Sequence, residues 1–545
     1  MLPLPLRPPS SFFYIVAIGL IGLSPGCRDR TTLVQQANAS NTLLLANGTE
    51  PADLDPQIVT GSPESALVLA LFEGLVRYDP VTLDPLPGVA ESWELAEDDV
   101  TYTFHLRADA KWSDGVPVTA HDFVSSSERI LAPEIASENS EALYFMAGAT
   151  DFNQGRSADF STVGCRAIDD RTLEIRAARP TPFLLRMMSA RTWFPIPVHV
   201  LKQHGGMHRK GTQWTRLENI VSNGPYVLTE WKQNQFIQVS RSSTYWDRDN
   251  VNLDHIKFFP IESETFEDAA YRAVQLHRTY GVPVTKIETY RKERPDELRI
   301  SPFSGTYYYS FNTTRPPLDD ARVRQALAMA IDRKGITDEI TRAGELPAHR
   351  FTPDGISGYV STVPGVSLNL ERARELLAEA GFPGGEGFPT ITLLYNTSEN
   401  HRVIAEAVQQ MWQKELGVDI QLENQEWKVY LDSIHLGNFD ISRNAYIVAP
   451  DDPTRFLEST RTGHGFNVAG WSNAEYDRLL TASLEEVEPT KRWEIFTTME
   501  GLLFEEMPIA PIYHYTNKYL IRPEVKNWTD NMLNTYPLRE ALLEP

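Results

Sequence analysis

The sequence predicts a mixed α/β protein with more than one sheet. Two observations predict this class. Short runs of alternating apolar residues are interspersed with amphipathic helical stretches along the chain, and at one place they combine into a strand–helix–strand unit with short connections. The 545 residues correspond to roughly three to four domains. Such a chain can bury several hydrophobic cores without disulfides or metals.

The strand–helix–strand unit is legible in detail. Residues 390–395 (TITLLY) predict a strand, residues 401–416 repeat apolar side chains at helical spacing, and residues 418–424 (VDIQLEN) alternate again. Gly417 is placed to end the helix. A unit of this kind implies two parallel strands joined by a right-handed crossover, as in an α/β sheet.

Two more helices and several strands are predicted. Residues 320–331 and 370–380 carry apolar stripes at helical spacing, and Asn369 and Gly381 can cap the second helix at its two ends. A hairpin is expected between Trp93 and Val100. The predicted strands are 100–107, 236–242 and 255–261.

The N-terminal segment has the layout of a secretory signal peptide. Arg7 precedes an apolar run over residues 12–23, and Ser24, Pro25, Gly26 and Cys27 follow it. A run of about a dozen residues is too short to cross a hydrocarbon layer of about 30 Å. We therefore expect a cleaved leader over residues 1–26 and an extracytoplasmic protein.

Cys27 lies where a bacterial lipoprotein carries its lipidated cysteine, so we predict lipidation there and a membrane anchor. The alternative is cleavage by the ordinary signal peptidase. Residues 28–42 are polar and unpatterned, which favours a flexible tether. Cys165 is the only other cysteine, so a lipidated chain has no partner for a disulfide, and we expect Cys165 to be buried.

Composition excludes some functions. The chain has 51 Lys and Arg against 73 Asp and Glu, a formal charge of −22, and no run of four basic residues. Nucleic-acid binding needs clustered cations and is therefore not expected. With 23% charged and 41% hydrophobic residues, the composition is that of a soluble globular protein.

Catalytic motifs are missing from the sequence. It has no HExxH, GxSxG, GxxxxGK[ST] or strand-linked GxGxxG pattern, and too few cysteines for a zinc cluster. His204 and His208 are four residues apart, but two glycines between them favour a loop over a metal site. A secreted hydrolase would need a nucleophile, a base and oxyanion donors, and none is apparent. We expect no enzyme, no cofactor and no metal.

Two aromatic runs, 307–309 (YYY) and 513–515 (YHY), have two interpretations. They can line a ligand pocket, or they can pack between a sheet and its helices, which is the commoner role of alternating aromatics in a strand. The sequence alone leaves both open.

Many blocks of the sequence, in the same order, resemble the family 5 extracellular solute-binding proteins, specifically the oligopeptide-binding branch that serves ABC importers. The resemblance covers nearly all of residues 43–545. The blocks are 72–75 (FEGL), 87–93 (PGVAESW), 102–107 (YTFHLR), 111–123 (KWSDGVPVTAHDF), 222–226 (SNGPY), 306–309 (TYYY), 320–326 (DARVRQA), 394–398 (LYNTS) and 424–428 (NQEWK).

The resemblance implies a periplasmic-binding-protein-like fold, with two α/β lobes joined by a hinge and one inserted domain. It divides the sequence after the leader (1–26) and the tether (27–42) as follows: lobe I comprises 43–72, 196–300 and 516–545, the inserted domain 73–195, and lobe II 301–515. Ligand is then held in the cleft between the lobes, which close on it.

The resemblance also implies ligand-binding residues. In peptide-binding members an extended peptide bonds through its main chain to strand edges of both lobes. The matching segments here are Thr60-Gly61-Ser62 and Ala445-Tyr446-Ile447. His401 and Arg443 match positions near the ligand carboxylate, and Trp427 matches a pocket wall. The alternatives are that His401 begins a helix, that Arg443 pairs with an acid and that Trp427 belongs to a core.

The sequence departs from the family pattern at the amine end of the ligand. Members that grip a free α-amino group have an Asp where this chain has Ala449. Either Asp451 or Asp452 replaces it, or the ligand presents no free amine. A charge-assisted hydrogen bond of this kind contributes about 1.5–3 kcal/mol, so its loss is roughly one to two decades of affinity.

We therefore predict a monomeric, lipid-anchored receptor that captures short peptides without covalent chemistry and delivers them to the permease subunits of an ABC transporter. A near alternative keeps the fold and changes the ligand to a nonpeptide such as an oligosaccharide, an opine-like compound or a metal chelate. A peptide-sensing receptor or an unfolded-protein holdase would use the same cleft.

Overall fold

The computed structural model describes residues 31–425, 427–448 and 452–544. The strands are β1 Thr42–Ala46, β2 Val76–Tyr78, β3 Pro85–Pro87, β4 Ala90–Leu95, β5 Thr101–Leu106, β6 Cys165–Ala167, β7 Thr172–Arg176, β8 Tyr226–Lys232, β9 Phe236–Arg241, β10 His255–Phe259, β11 Leu298–Phe311, β12 Leu346–Pro347, β13 Ile391–Asn396, β14 Ile420–Gln425, β15 Ile441–Ile447, β16 Ile509–Leu520, β17 Val525–Lys526 and β18 Leu542–Leu543.

Helices cover the sheets and connect their strands. They are α1 Leu33–Ala39, α2 Ser62–Leu71, α3 Ala120–Leu131, α4 Ala149–Asn153, α5 Leu184–Met188, α6 Val198–Gln203, α7 Glu264–Arg272, α8 Val284–Glu293, α9 Ala321–Met329, α10 Arg333–Gly335, α11 Leu370–Glu379, α12 Glu399–Leu416, α13 Trp427–His435, α14 Thr454–Glu458, α15 Ala474–Glu485 and α16 Pro489–Glu506. In the part of the chain that the structure describes, none of them is long and apolar enough to span a bilayer.

Three sheets organise the molecule. The sheet β1-β10-β9-β8 lies in the segments predicted as lobe I, the sheet β4-β5-β7-β6 in those predicted as the inserted domain, and the sheet β12-β16-β11-β15-β13-β14 mainly in those predicted as lobe II. In the lobe II sheet the last two strands, β13 and β14, run parallel and are joined by α12. The mixed α/β class with more than one sheet is therefore confirmed.

The predicted strand–helix–strand unit forms as expected. Residues 391–396 pair in parallel register with residues 420–425, and α12 ends at Gly417, whose φ of 70° is the left-handed conformation that glycine adopts at low cost. Strand β5 shows the predicted alternation, with Tyr102, Phe104 and Leu106 buried. Period-2 burial identifies it as a half-buried strand.

Side-chain caps define the two other predicted helices. The carboxylate of Asp320 accepts a hydrogen bond from Arg322 N–H at 2.9 Å at the start of α9. The amide oxygen of Asn369 accepts one from Arg372 N–H at 3.0 Å at the start of α11. Such caps satisfy N–H groups that have no partner within the helix.

The prediction of a flexible tether over residues 28–42 is wrong for its second half. Thr32 and Gln35 form a capping box that starts α1, and Val34 and Ala37 are buried against Leu44 of β1. The polar composition hid this helix, because only two apolar side chains are needed to fix so short an element to a lobe. Residues 33–39 and 42 therefore belong to α1 and β1 rather than to a tether.

Two long strands cross between the lobes. At the start of β11 and the end of β16, Leu298 and Leu520 pack with Tyr271 in the core of lobe I. Further along the pair, Tyr307 of β11 and Tyr513 of β16 belong to the core of lobe II. The pairing of β11 with β16 is interrupted between residues 302 and 306, which places a break in the ladder at the passage from one lobe to the other.

Candidate functional site

A cavity of about 270 Å³ lies between the lobes. Lobe I lines it with Thr60 and Ser62, the inserted domain with Arg191, and lobe II with Ile447 and Val448. The C-terminal segment 532–536 closes a further side. Two of the three predicted contact residues from the lobe I segment and one from the lobe II segment therefore face the same space.

The lobe I segment has a different local structure from the one predicted. Thr60-Gly61-Ser62 is not a strand edge: Gly61 is the N-cap of α2 and Ser62 its first residue. The side chain of Glu64 folds back, and its Oε1 accepts a hydrogen bond from Ala52 N–H at 2.9 Å. The segment therefore meets the cavity as a loop and a helix N-terminus.

The lobe II segment is a strand with one open edge. Tyr446 and Ala445 pair with Thr306 and Tyr307 of β11 on one side. On the other side, β13 pairs with β15 only at Ile441 and Ser442. In the described chain no strand pairs with residues 443–447 on that side, so this end of β15 can bond an extended ligand through its main chain.

Arg443 lies on this strand among neutral groups. Its guanidinium is 4.5 Å from the centre of the Tyr307 ring, and its Nη2 donates to the hydroxyl of Tyr515 at 3.1 Å. Its Nη1 lies 3.4 Å from Oδ1 of Asn396. The residue is 8% exposed, its Nε has no hydrogen-bond partner, and no described carboxylate lies within 4.0 Å. The alternative that Arg443 pairs with an acid is not supported in the described chain.

His401 is a neutral neighbour of this cation. It lies in the first turn of α12, with Nδ1 3.5 Å from the Tyr307 hydroxyl and the two ring centres 5.6 Å apart. Burial, followed by the positive charge of Arg443, lowers the pKa of His401 to about 3. At neutral pH the positive potential here therefore comes from Arg443.

Arg443, Ala445 and Ile447 project from the same face of β15, because side chains alternate along a strand. Ile447 lies four positions after Arg443, which corresponds to about 13 Å at 3.3 Å per residue. Ile447 is 50% exposed and lines the interlobe cavity. The cation and the cavity are thus separated by the length of a peptide of three to four residues.

Tyr446 points to the opposite face and is part of an aromatic cluster. Its ring contacts Phe351, Phe456 and the 61%-exposed Phe466 at centroid distances of 5.9, 5.4 and 5.3 Å. Tyr446 itself is 8% exposed. Its side chain therefore supports β15, and only its main chain lies at the open edge.

The acidic residues near the expected amine end are only partly described. Ala449 and Asp451 lie outside the described residues, as does Cys27. Asp452 is 3% exposed and forms an ion pair with Arg492 of α16, whose Nη2 lies 2.7 Å from its Oδ1. Thr454 N–H donates to the same oxygen at 2.9 Å. Asp452 is therefore already engaged within lobe II, and it is not retained in the proposed site.

The remaining sequence candidates are placed as follows. Trp427 is the first residue of α13. Tyr307 and Tyr513 stack at 4.7 Å inside the lobe II core, so they serve as core residues and, in the case of Tyr307, as a neighbour of Arg443. The packing interpretation therefore holds for Tyr307 and Tyr513, and the ligand-pocket interpretation stays a prediction. Among the described residues no group of three or more His, Cys, Asp and Glu could hold a metal.

Sequence reasoning missed Arg191 and the C-terminal segment 532–536. Arg191 Nη2 donates to the carbonyl of Val59 at 2.9 Å, and its Nε is buried without a hydrogen-bond partner. Burial lowers the pKa of Arg191, while Glu64 and Tyr78 favour its charged form. Nothing in the local pattern around residue 191 could have signalled this, since the cavity is formed by segments distant in sequence.

The fold, the interlobe cavity and the open strand edge define a solute-binding protein, and comparison with known families agrees. The model described as "Bacterial extracellular solute-binding proteins, family 5 Middle" matches residues 84–467. The chain belongs to this family. The predicted family, the bilobal α/β fold and the prediction of a binding protein rather than an enzyme are thereby confirmed.

Individual relatives lie in the peptide-binding branch. The chain is 37% identical over 507 residues to the periplasmic oligopeptide-binding protein OppA of Escherichia coli, covering 91% of each chain. It is 37% identical over 489 residues to the periplasmic murein peptide-binding protein MppA of the same organism, covering 88% of this chain and 89% of MppA. A structure of MppA in its unliganded open form superposes with a TM-score of 0.82 at 36% identity, covering 92% and 97% of the two chains.

Proposed function

We propose that this chain is an extracytoplasmic receptor that captures short peptides between its lobes and delivers them to the permease of an ABC transporter. Its family membership and its similarity to oligopeptide-binding and murein peptide-binding proteins support this function. The ligand-contacting set comprises the main chain of residues 60–62 and 445–447 with the side chains of His401, Trp427 and Arg443.

The observation that carries the proposal is Arg443 on the open-edged end of β15. A buried cation among neutral partners is costly unless an anion compensates it. The C-terminal carboxylate of a peptide supplies that anion, while the peptide main chain bonds to the open edge of the strand. The main-chain part of this recognition depends little on side-chain identity.

Binding acts through closure of the lobes. We take lobe I as residues 43–72, 196–300 and 516–545, the inserted domain as 73–195 and lobe II as 301–515. The two boundaries at 300 and 515 fall within β11 and β16, close to the interruption in their pairing. A ligand that contacts both lobes binds the closed form more tightly and shifts the population toward it.

Attachment to the membrane through lipidated Cys27 completes the proposal, with the receptor acting as a monomer. The signal-peptide layout and the position of the cysteine after it support the anchor. The permease then receives ligand from a receptor held near the membrane surface.

Calorimetric titration of the full-length chain in mild detergent tests the function. We expect tetra-alanine to bind 10- to 100-fold more tightly than its C-terminal amide, because a charge-assisted hydrogen bond contributes about 1.5–3 kcal/mol. Arg443→Gln should remove this difference, and Arg443→Lys should restore part of it. Arg372→Gln on the surface of α11, where Arg372 pairs with Glu375, is the matched control.

Equal binding of acid and amide by the wild-type chain would contradict the role of Arg443. Mass spectrometry of small molecules released from the natively purified protein addresses the ligand class. Mixed short peptides support the proposal, whereas a single nonpeptide compound would replace it with a changed specificity. The observation that favours this second candidate is Ala449 in place of the amine-binding carboxylate.

A further inference from the structure

The charge lining the interlobe cavity indicates what kind of group the ligand places there. Among its described lining residues, Arg191 is the one charged side chain, and the remainder are apolar or neutral polar. No described carboxylate lies within 4.0 Å of its guanidinium nitrogens. A cavity with a cation and no acid disfavours an ammonium group and favours an anion.

The guanidinium is held in place but not neutralised. One of its nitrogens donates to the carbonyl of Val59, and Nε is buried without a hydrogen-bond partner. The acid whose charge acts on it, Glu64, does not line the cavity and accepts a hydrogen bond from Ala52 N–H. Arg191 therefore retains donors for a further acceptor.

A second cation, Arg278, adds to the positive potential of the cavity through contacts with two of its lining residues. Arg278 is fully buried, and its Nη1 donates to the hydroxyl of Tyr536 at 2.9 Å while its Nη2 lies 3.3 Å from Oδ1 of Asn534. Both Tyr536 and Asn534 line the cavity. Glu267 faces Arg278 from α7, where it accepts hydrogen bonds from the main chain of residues 280 and 281.

The distance along β15 from Arg443 to Ile447 indicates which residue of the ligand reaches the cavity. A peptide whose carboxylate meets Arg443 runs along the open edge toward Ile447, about 13 Å away. An extended chain covers 3.3–3.6 Å per residue, so the first or second residue of a tetrapeptide reaches the cavity.

We propose that this cavity binds the carboxylate of an acidic side chain in the amino-terminal half of a short peptide, and that Arg191 is the residue that recognises it. The inference rests on the proposed peptide-binding function and adds a substrate class to it. Arg191 is thus a determinant of specificity, whereas Arg443 recognises the C-terminal carboxylate that all peptides share.

The test is calorimetric titration of the full-length chain at pH 7.5 with Glu-Ala-Ala-Ala, Ala-Glu-Ala-Ala, their Gln counterparts and tetra-alanine. We expect one of the Glu peptides to bind 10- to 100-fold more tightly than its Gln counterpart. In Arg191→Gln this ratio should fall below about twofold, with the Gln peptide bound within about threefold of wild type. Arg179→Gln, an exposed arginine of the inserted domain, should behave as wild type.

Equal affinity for Glu and Gln peptides in the wild-type chain overturns the inference and leaves the proposed function standing, as does a Glu preference that survives in Arg191→Gln. Failure of every peptide, tetra-alanine included, to bind overturns the proposed function and the inference together. If circular dichroism shows that Arg191→Gln does not fold, the same titrations are made with Arg191→Lys. Its ammonium cannot form forked hydrogen bonds, so a weakened Glu preference supports the inference and an unchanged preference overturns it.

Discussion

His277 shows how one buried side chain connects the N-terminal helix to the body of lobe I. Its Nδ1 accepts a hydrogen bond from Leu44 N–H at 2.9 Å, so the ring is neutral, and its Nε2–H donates to Asn38 Oδ1 at 2.8 Å. The side chain is fully buried. Burial, with a smaller contribution from Arg522, lowers its pKa to about 3.

This lowered pKa makes stability depend on pH. Between pH 6.5 and about 3 the unfolded chain binds a proton at His277 that the folded chain does not. Stability is therefore complete above pH 6.5 and is lost as the pH falls through this window. At pH 5 the loss from this residue is about 2 kcal/mol.

Urea unfolding at pH 7.5 and at pH 5.0 measures this contribution. His277→Asn keeps an acceptor for Leu44 N–H but cannot take up the proton, so its loss between the two pH values should be smaller than that of wild type by about 2 kcal/mol. His208→Asn, at an exposed histidine, should follow wild type. An equal pH dependence in wild type and His277→Asn would contradict the assignment.

The roles of Arg443 and Asp452 differ in how far the sequence could predict them. The proposed role of Arg443 was implied by the family resemblance, which extends over nearly all of residues 43–545 and so includes the strand that carries it. Asp452 is sequestered by Arg492, forty positions further along the chain. No local pattern reports such a partner, so the sequence left Asp452 as a candidate for the ligand amine.

At the scale of elements, the close approach of β11 and β15 depends on a glycine. Gly305 lies opposite Ile447 in the register of the two strands. A methyl group added at Gly305 would lie 2.8 Å from Cγ1 of Ile447 and 3.1 Å from Cδ2 of Tyr515. The strand pair can therefore hold Ile447 at the cavity only with no side chain at residue 305.

We expect Gly305→Ala to lower the free energy of unfolding by about 1–2 kcal/mol through overpacking, and to weaken peptide binding several-fold by displacing Ile447. Gly501→Ala is the matched control. Gly501 lies inside α16 with no atom within 4 Å of the added methyl, so this change should stabilise the protein by roughly 0.5–1 kcal/mol and leave binding unchanged. Urea unfolding and calorimetry measure both effects. Unaltered stability and binding in Gly305→Ala would show that the strands yield at this point.

At the scale of the whole molecule, α1 determines how far the body can lie from a lipid anchor. Thr32 is the N-cap of α1, so the five residues 28–32 cover the distance from Cys27 to the start of the helix. They span at most about 18 Å when fully extended. An anchored receptor would therefore be held next to the membrane rather than moving freely at a distance from it.

Metabolic labelling with an alkyne fatty acid, followed by mass measurement of the mature N-terminal peptide, tests the anchor. We expect label at Cys27, loss of label in Cys27→Ser and retained label in Cys165→Ser, since Cys165 is buried. More than one acyl chain is expected, because a single chain gives only marginal membrane binding. An unlabelled wild-type chain, or a mature chain that begins at another residue, would support cleavage by the ordinary signal peptidase instead.

The sequence by itself determined the elements whose signal is local. The periodicity of residues 390–424, the cap at Asn369 and the alternation along β5 each depend on neighbours within a few residues, and each was predictable. Only the tertiary structure decided which segments share the interlobe cavity, that Thr60–Ser62 meet it as a helix start, and that Arg191 lines it without a described counterion. The physical reason is that the cavity joins residues from several distant parts of the chain, between residues 60 and 536, and charge and burial there are properties of the assembled surfaces.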